Sequence, residues 1–102
     1  MKIINKQEFD DVISTGTVMV DFFATWCGPC KMLSPVLEEV AAELEGQIHI
    51  VKVDVDQDGD LAMRYGIMSV PTMIIFKDGK AVKQLQGFMP KPQLIQELKK
   101  EL

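Results

Sequence analysis

Cys27 and Cys30 are the only two cysteines in this 102-residue chain, and they sit three apart in Ala24-Thr25-Trp26-Cys27-Gly28-Pro29-Cys30-Lys31. Cys-x-x-Cys admits four readings: a zinc site, a structural disulfide, a pair of inert thiols, or a reversible dithiol/disulfide couple. Structural zinc usually takes four ligands. Here a second Cys-x-x-Cys is missing, and the single histidine, His49, falls inside a strand-like run. No metal is therefore expected. A disulfide closing so short a loop restricts the unfolded chain by only roughly 2 kcal/mol. A chain with 47% hydrophobic residues does not need that staple. Two inert thiols side by side at a strand end would be a coincidence.

Placement favours the fourth reading. The motif lies where an apolar run, Val18 to Ala24, gives way to helical spacing from Pro29 to Glu45. Open α/β sheets place their chemistry at the carboxyl ends of strands. Cys27 would then face the unpaired N–H groups and the positive end of a helix, which together stabilise a thiolate, the nucleophilic form. Pro29 gives up an N–H that a first helical turn leaves unpaired, and it stiffens the loop. Gly28 keeps the approach to Cys27 open, and Lys31 adds a cation nearby. Cys30, one turn deeper, is expected to be more buried and to hold its proton more firmly. Cys27 would attack a disulfide and Cys30 would resolve the mixed intermediate.

The elements that must hold this motif read as α/β. Ile3-Ile4 opens a short strand, and Asn5 with Glu8 forms a capping-box pattern before a helix whose apolar face is Phe9, Val12 and Ile13. "VMVDFFA", apolar except at Asp21, suits a central strand covered on both sides. Leu33, Val36, Leu37, Val40, Ala41 and Leu44 give the long helix its buried stripe, and Ile48 to Val55 forms the next strand, completing a βαβ unit. A short helix is expected over Leu61 to Tyr65. Thr72 to Phe76 and Ala81 to Gln86 flank Asp78-Gly79, a hairpin signal, and Leu94, Ile95, Leu98 and Leu102 mark a last helix. One domain spanning 1–102, with a mixed sheet between helices, follows.

Asp21 is the residue least suited to its surroundings. In so apolar a run it should be buried, and burial raises a carboxyl pKa towards neutrality. It could then take the proton of Cys30, directly or through water. Lys52, in the neighbouring strand, reads on its own as a surface lysine with a snorkelling stem. Pro71 reads on its own as an ordinary trans proline. Trp26 is expected to be half exposed and part of a docking surface. Met68 and Met89 adjoin Val70-Pro71 and Gly87, where soft side chains would make an adaptable rim.

Several classes are set aside. Acidic residues number 15 against 11 Lys and Arg, a net charge of −4, with no basic stripe for nucleic acid or an anionic membrane. No apolar run approaches the roughly 20 residues of a membrane span, and the N-terminus lacks the apolar core of a secretory signal.

"VDFFATWCGPCK", Pro35, Val70-Pro71-Thr72 and Gly87, in this order along nearly the whole chain, resemble the thioredoxin family. The resemblance implies a thioredoxin fold, with a mixed five-stranded central sheet flanked by four helices. It implies a protein-disulfide reductase in which Cys27 attacks and Cys30 resolves, with no cofactor beyond the Cys27–Cys30 disulfide. Asp21 would be the buried base and Lys52 would help set its pKa. Pro71 would be cis, presenting the Val70 backbone to a substrate peptide, and Gly87 would let that peptide approach. The partners implied are a thioredoxin reductase and disulfide-containing proteins such as ribonucleotide reductase, peroxiredoxins and methionine sulfoxide reductases. A cytoplasmic monomer is expected. The competing reading is a redox-independent binding module or subunit on the same scaffold; an exported oxidant or isomerase would need an export signal. The chain departs from the common pattern at Phe23, often Trp; at Met68-Ser69, often Arg-Gly; and at Pro90-Lys91-Pro92, where a Ser-led helix start is usual.

Overall fold

The computed structural model describes residues 1–102. In chain order the elements are α1 (Lys6–Ile13), β1 (Thr17–Phe23), α2 (Gly28–Glu43), β2 (His49–Asp54), α3 (Gly59–Arg64), β3 (Thr72–Lys77), β4 (Lys80–Gln86) and α4 (Lys91–Lys99). The four strands form one sheet in the order β2-β1-β3-β4. β1 runs parallel to β2 and antiparallel to β3, and β3 runs antiparallel to β4.

The sheet has four strands where five were expected. Ile3 makes only an isolated parallel bridge to Lys52. Two backbone bonds carry it, Ile4 N–H to the Lys52 carbonyl at 2.8 Å and Lys52 N–H to the Lys2 carbonyl at 2.9 Å. The chain cannot extend this pairing, because Asn5 already caps α1. Its side chain accepts from Glu8 N–H at 3.0 Å, and Asn5 N–H in turn donates to Glu8 Oε1 at 3.1 Å.

β1 sits between two layers, and its alternation assigns each side chain to one of them. Val18, Val20 and Phe22 pack with Phe9 and Ile13 of α1, Leu61 of α3 and Phe76 of β3. Met19 packs on the other face with Leu33, Leu37 and Val40 of α2 and Leu94 and Leu98 of α4. Phe23, on that second face, packs with Ala24, Cys27 and Cys30. Phe9 and Phe22 are fully buried, each contributing about 1.5–3 kcal/mol of apolar burial. Asp21 lies between Met19 and Phe23 in sequence, so it shares their face.

Asp78 and Gly79 turn the β3–β4 hairpin with φ of 49° and 87°, the left-handed pair that matches strand twist. α2 continues through Pro35. α4 has Pro90 at its N-cap and no side-chain cap, the consequence of Pro-Lys-Pro at its start.

Candidate active site

β1 delivers the chain to α2 at its carboxyl end, and Cys27 is the N-cap of that helix. The Cys30 N–H donates to Cys27 Sγ at 3.1 Å, the bond that a Ser or Asp oxygen makes at an ordinary N-cap. A sulfur thus occupies the position where a helix best stabilises negative charge. Gly28 and Pro29 fill the first two helical positions, both exposed, and Cys30 closes the first turn. The two sulfurs form a disulfide, with the Cα atoms 5.2 Å apart.

The expected difference in burial is absent in this disulfide form: Cys27 and Cys30 are each 3% exposed. Cys27 is covered from across the site, where the Val70 carbonyl oxygen lies 3.6 Å from its Sγ. Phe23 and Ala24 close the other side. What distinguishes the two cysteines here is their place on the helix, not their exposure.

The Val70–Pro71 peptide bond is cis, and Pro71 is buried beside the half-exposed Val70. Gly87 N–H donates to the Pro71 carbonyl at 2.9 Å, tying the end of β4 to this segment. Gly87 has φ +82°, and a Cβ built there meets no atom within 4 Å, so the space in front of it is open. Trp26 is 70% exposed, more than the half expected, and its Nε1–H donates to Asp56 Oδ2 at 2.9 Å. Met68 is 93% exposed at the rim. Met89 is not part of that rim; it is half-buried and packs onto the α2–α4 core.

Asp21 has no exposure at all, and neither carboxylate oxygen has a hydrogen-bond partner. Burial pushes its pKa up to about 6, against the opposing pull of Lys52. Lys52 is directly opposite Asp21 in the β1–β2 register. Its ammonium is not a snorkelling surface group. It donates to Ser34 Oγ at 2.7 Å and lies 4.4 Å from the centre of the Phe23 ring. Ser34, Asp56 and this role of Phe23 escaped the sequence reading. The one signal available for Ser34 was its position four residues after Cys30, on the same helix face.

The site is a surface built around a disulfide rather than a cavity. A pocket of about 770 Å³ lies away from it, at the opposite pole against Thr17, Val18 and His49, where β1 and β2 begin. β2 starts at His49, which is exposed rather than mid-strand.

A dithiol pair at a helix N-terminus, facing a cis proline on a mixed sheet between helices, defines a thiol–disulfide oxidoreductase of the thioredoxin fold. The family model "Thioredoxin" matches residues 1–100. The chain is 50% identical over 99 residues to thioredoxin from Staphylococcus aureus strain Mu50, covering 97% of this chain and 95% of that protein. The same figures hold for the strain MW2 protein. A solved structure of Plasmodium falciparum thioredoxin superposes with a TM-score of 0.92 at 38% identity, covering 100% of both chains. The chain belongs to the thioredoxin family. It is a protein-disulfide oxidoreductase, and membership implies a thioredoxin reductase as electron donor and disulfide-bearing proteins as substrates. No helix is long and apolar enough to cross a membrane.

Proposed function

We propose that this chain acts as a monomeric, single-domain, cytoplasmic disulfide reductase whose only redox group is the Cys27–Cys30 pair, and that its named residues divide the work as follows. The Cys27 thiolate attacks one sulfur of a substrate disulfide. A Cys27–substrate disulfide forms, and the other substrate sulfur leaves as a thiolate and takes a proton from water. Asp21, as carboxylate, accepts the proton of Cys30, directly or through water. The Cys30 thiolate then attacks Cys27 Sγ, closing the Cys27–Cys30 disulfide and expelling the second substrate thiolate. Two electrons pass from the dithiol to the substrate, and thioredoxin reductase restores them.

The observation that carries this reading is the Cys30 N–H bond to Cys27 Sγ at 3.1 Å, which favours charge on the Cys27 sulfur. Gly28 and Pro29 support it by shaping the first turn of α2. Lys52 supports it through its electrostatic pull on Asp21. Trp26, Val70, Pro71 and Gly87 form the surface on which an extended peptide docks beside the disulfide, with the Val70 backbone as the pairing edge. Met68 adds an adaptable contact at its rim. Ribonucleotide reductase, peroxiredoxins and methionine sulfoxide reductases are the substrates this reading favours.

Replacing the resolving cysteine tests it. Cys30→Ser is expected to accumulate a stable mixed disulfide through Cys27 with a protein substrate, visible by mass on a non-reducing gel. Cys27→Ser is expected to trap nothing and to reduce nothing. Trapping by Cys27→Ser instead would reverse the assignment of the two sulfurs.

A further inference from the structure

We propose that Ser34 is a positioning residue for the dithiol reaction: through its hydroxyl it anchors the Lys52 ammonium beneath α2, on the sheet face that carries Asp21. Three observations converge on it. Lys52 is the register partner of Asp21, so both side chains leave the sheet on the same face. That face is covered by α2, and Ser34 is one helical turn beyond Cys30 on that helix. The ammonium donates to Ser34 Oγ at 2.7 Å and rests 4.4 Å from the Phe23 ring centre.

Without the hydroxyl, the ammonium loses its only hydrogen bond on this face and keeps just the Phe23 ring and the charge of Asp21 to hold it inward. A lysine stem left free extends its charge to water, where the ammonium is best solvated. The half-buried setting of Lys52 makes that path short. Asp21 has no hydrogen-bond donor of its own, so the field of Lys52 is the main favourable influence on its ionised form. Moving the cation away leaves the carboxylate buried and alone, and it becomes harder to ionise.

The other titratable groups around Asp21 are a thiol, engaged in pairs, or exposed. β3 presents Met73 opposite Asp21, and the only titratable group on that face of the strand, Lys77, is exposed at its far end, paired with Thr17. On β2, Asp54 accepts from the backbone N–H of Asp56 and Gln57. On β4, Lys83 pairs with Glu97 and Glu101. On α2, Cys30 is a thiol in the reduced state, Lys31 is exposed, and Glu38 pairs with the N-terminal amine. α4 turns only apolar side chains, Leu94, Ile95 and Leu98, to this core. Lys52 is therefore the one cation whose charge acts on Asp21, and Ser34 is its only hydrogen-bond acceptor.

This inference rests on the reading of Asp21 as the base for Cys30, and the test separates the two. In the oxidised protein the thiols are absent, so the Asp21 carboxyl carbon can be titrated by NMR free of their influence. Ser34→Ala is expected to raise the Asp21 pKa by at least half of the rise that Lys52→Met produces. Ser34→Thr, which keeps the hydroxyl, should stay close to the parent. Ser34→Ala added to Lys52→Met should change nothing further, a coupling that a purely structural role would not give. An Asp21 titration unmoved or lowered in Ser34→Ala, or an equal shift with and without Lys52, overturns the proposal. The base role of Asp21 is judged separately, from the turnover of Asp21→Asn. Alanine is the better helix former, so the substituted protein retains its fold.

Discussion

Asp21 and Lys52 stand directly opposite each other across the β1–β2 ladder, yet the ammonium gives its hydrogen bond to Ser34 and the carboxyl gets none. A buried carboxyl without a partner is costly, and most folds would not keep one. Here it lies on the face covered by the helix that carries Cys30, where a proton must be moved.

That cost predicts a stability profile. The Asp21 pKa is about 6 in the fold against an ordinary 3.8. Between these values the folded protein holds a proton that the unfolded chain has lost, so stability falls as pH rises through the window and levels off above it. Above the window, an ionised Asp21 costs about 3 kcal/mol. Asp21→Asn is expected to stabilise the oxidised protein by up to about 3 kcal/mol at pH 8 and by little near pH 4. Urea unfolding at several pH values checks this. A gain independent of pH would remove Asp21 ionisation as its source. The same variant should slow resolution of the mixed disulfide.

Gly87 predicts a separation between large and small substrates. Its φ of +82° is a conformation that other residues adopt at a cost of about 1–2 kcal/mol, and the space before it is open. Gly87→Ala is expected to raise KM severalfold for a protein disulfide, because a methyl group enters the path of the docking peptide. Reduction of a small aromatic disulfide should keep its rate. Equal losses for both substrates would place the effect in the fold rather than in docking.

The parts of this molecule readable from sequence are those whose causes are local. Asn5 and Glu8 announce the α1 cap within four residues, and Asp78-Gly79 announces the hairpin. Cys27 as N-cap follows from an apolar strand meeting a helical stripe. Burial of Asp21 follows from its apolar neighbours along one strand. What was not readable depends on partners far along the chain. Ile3 looked like a strand because it is apolar, but only the cap at Asn5 decides how far its pairing runs. Trp26 is bonded to Asp56, 30 residues away, and Lys52 is drawn inward by Ser34, 18 residues away. Met68 and Met89 looked alike beside the motif, yet one is free and the other fills the core edge. The equal burial of the two sulfurs was likewise hidden, since Val70 covers Cys27 from 43 residues away.

The unequal chemistry of two equally buried sulfurs is the centre of this account. Alkylating the fully reduced protein with iodoacetamide across the pH range, and following each cysteine by mass spectrometry, tests it most directly. Cys27 is expected to be consumed well below the pH at which an unperturbed thiol reacts, while Cys30 stays unlabelled until higher pH. Equal rates at both sulfurs, or faster labelling of Cys30, would contradict it.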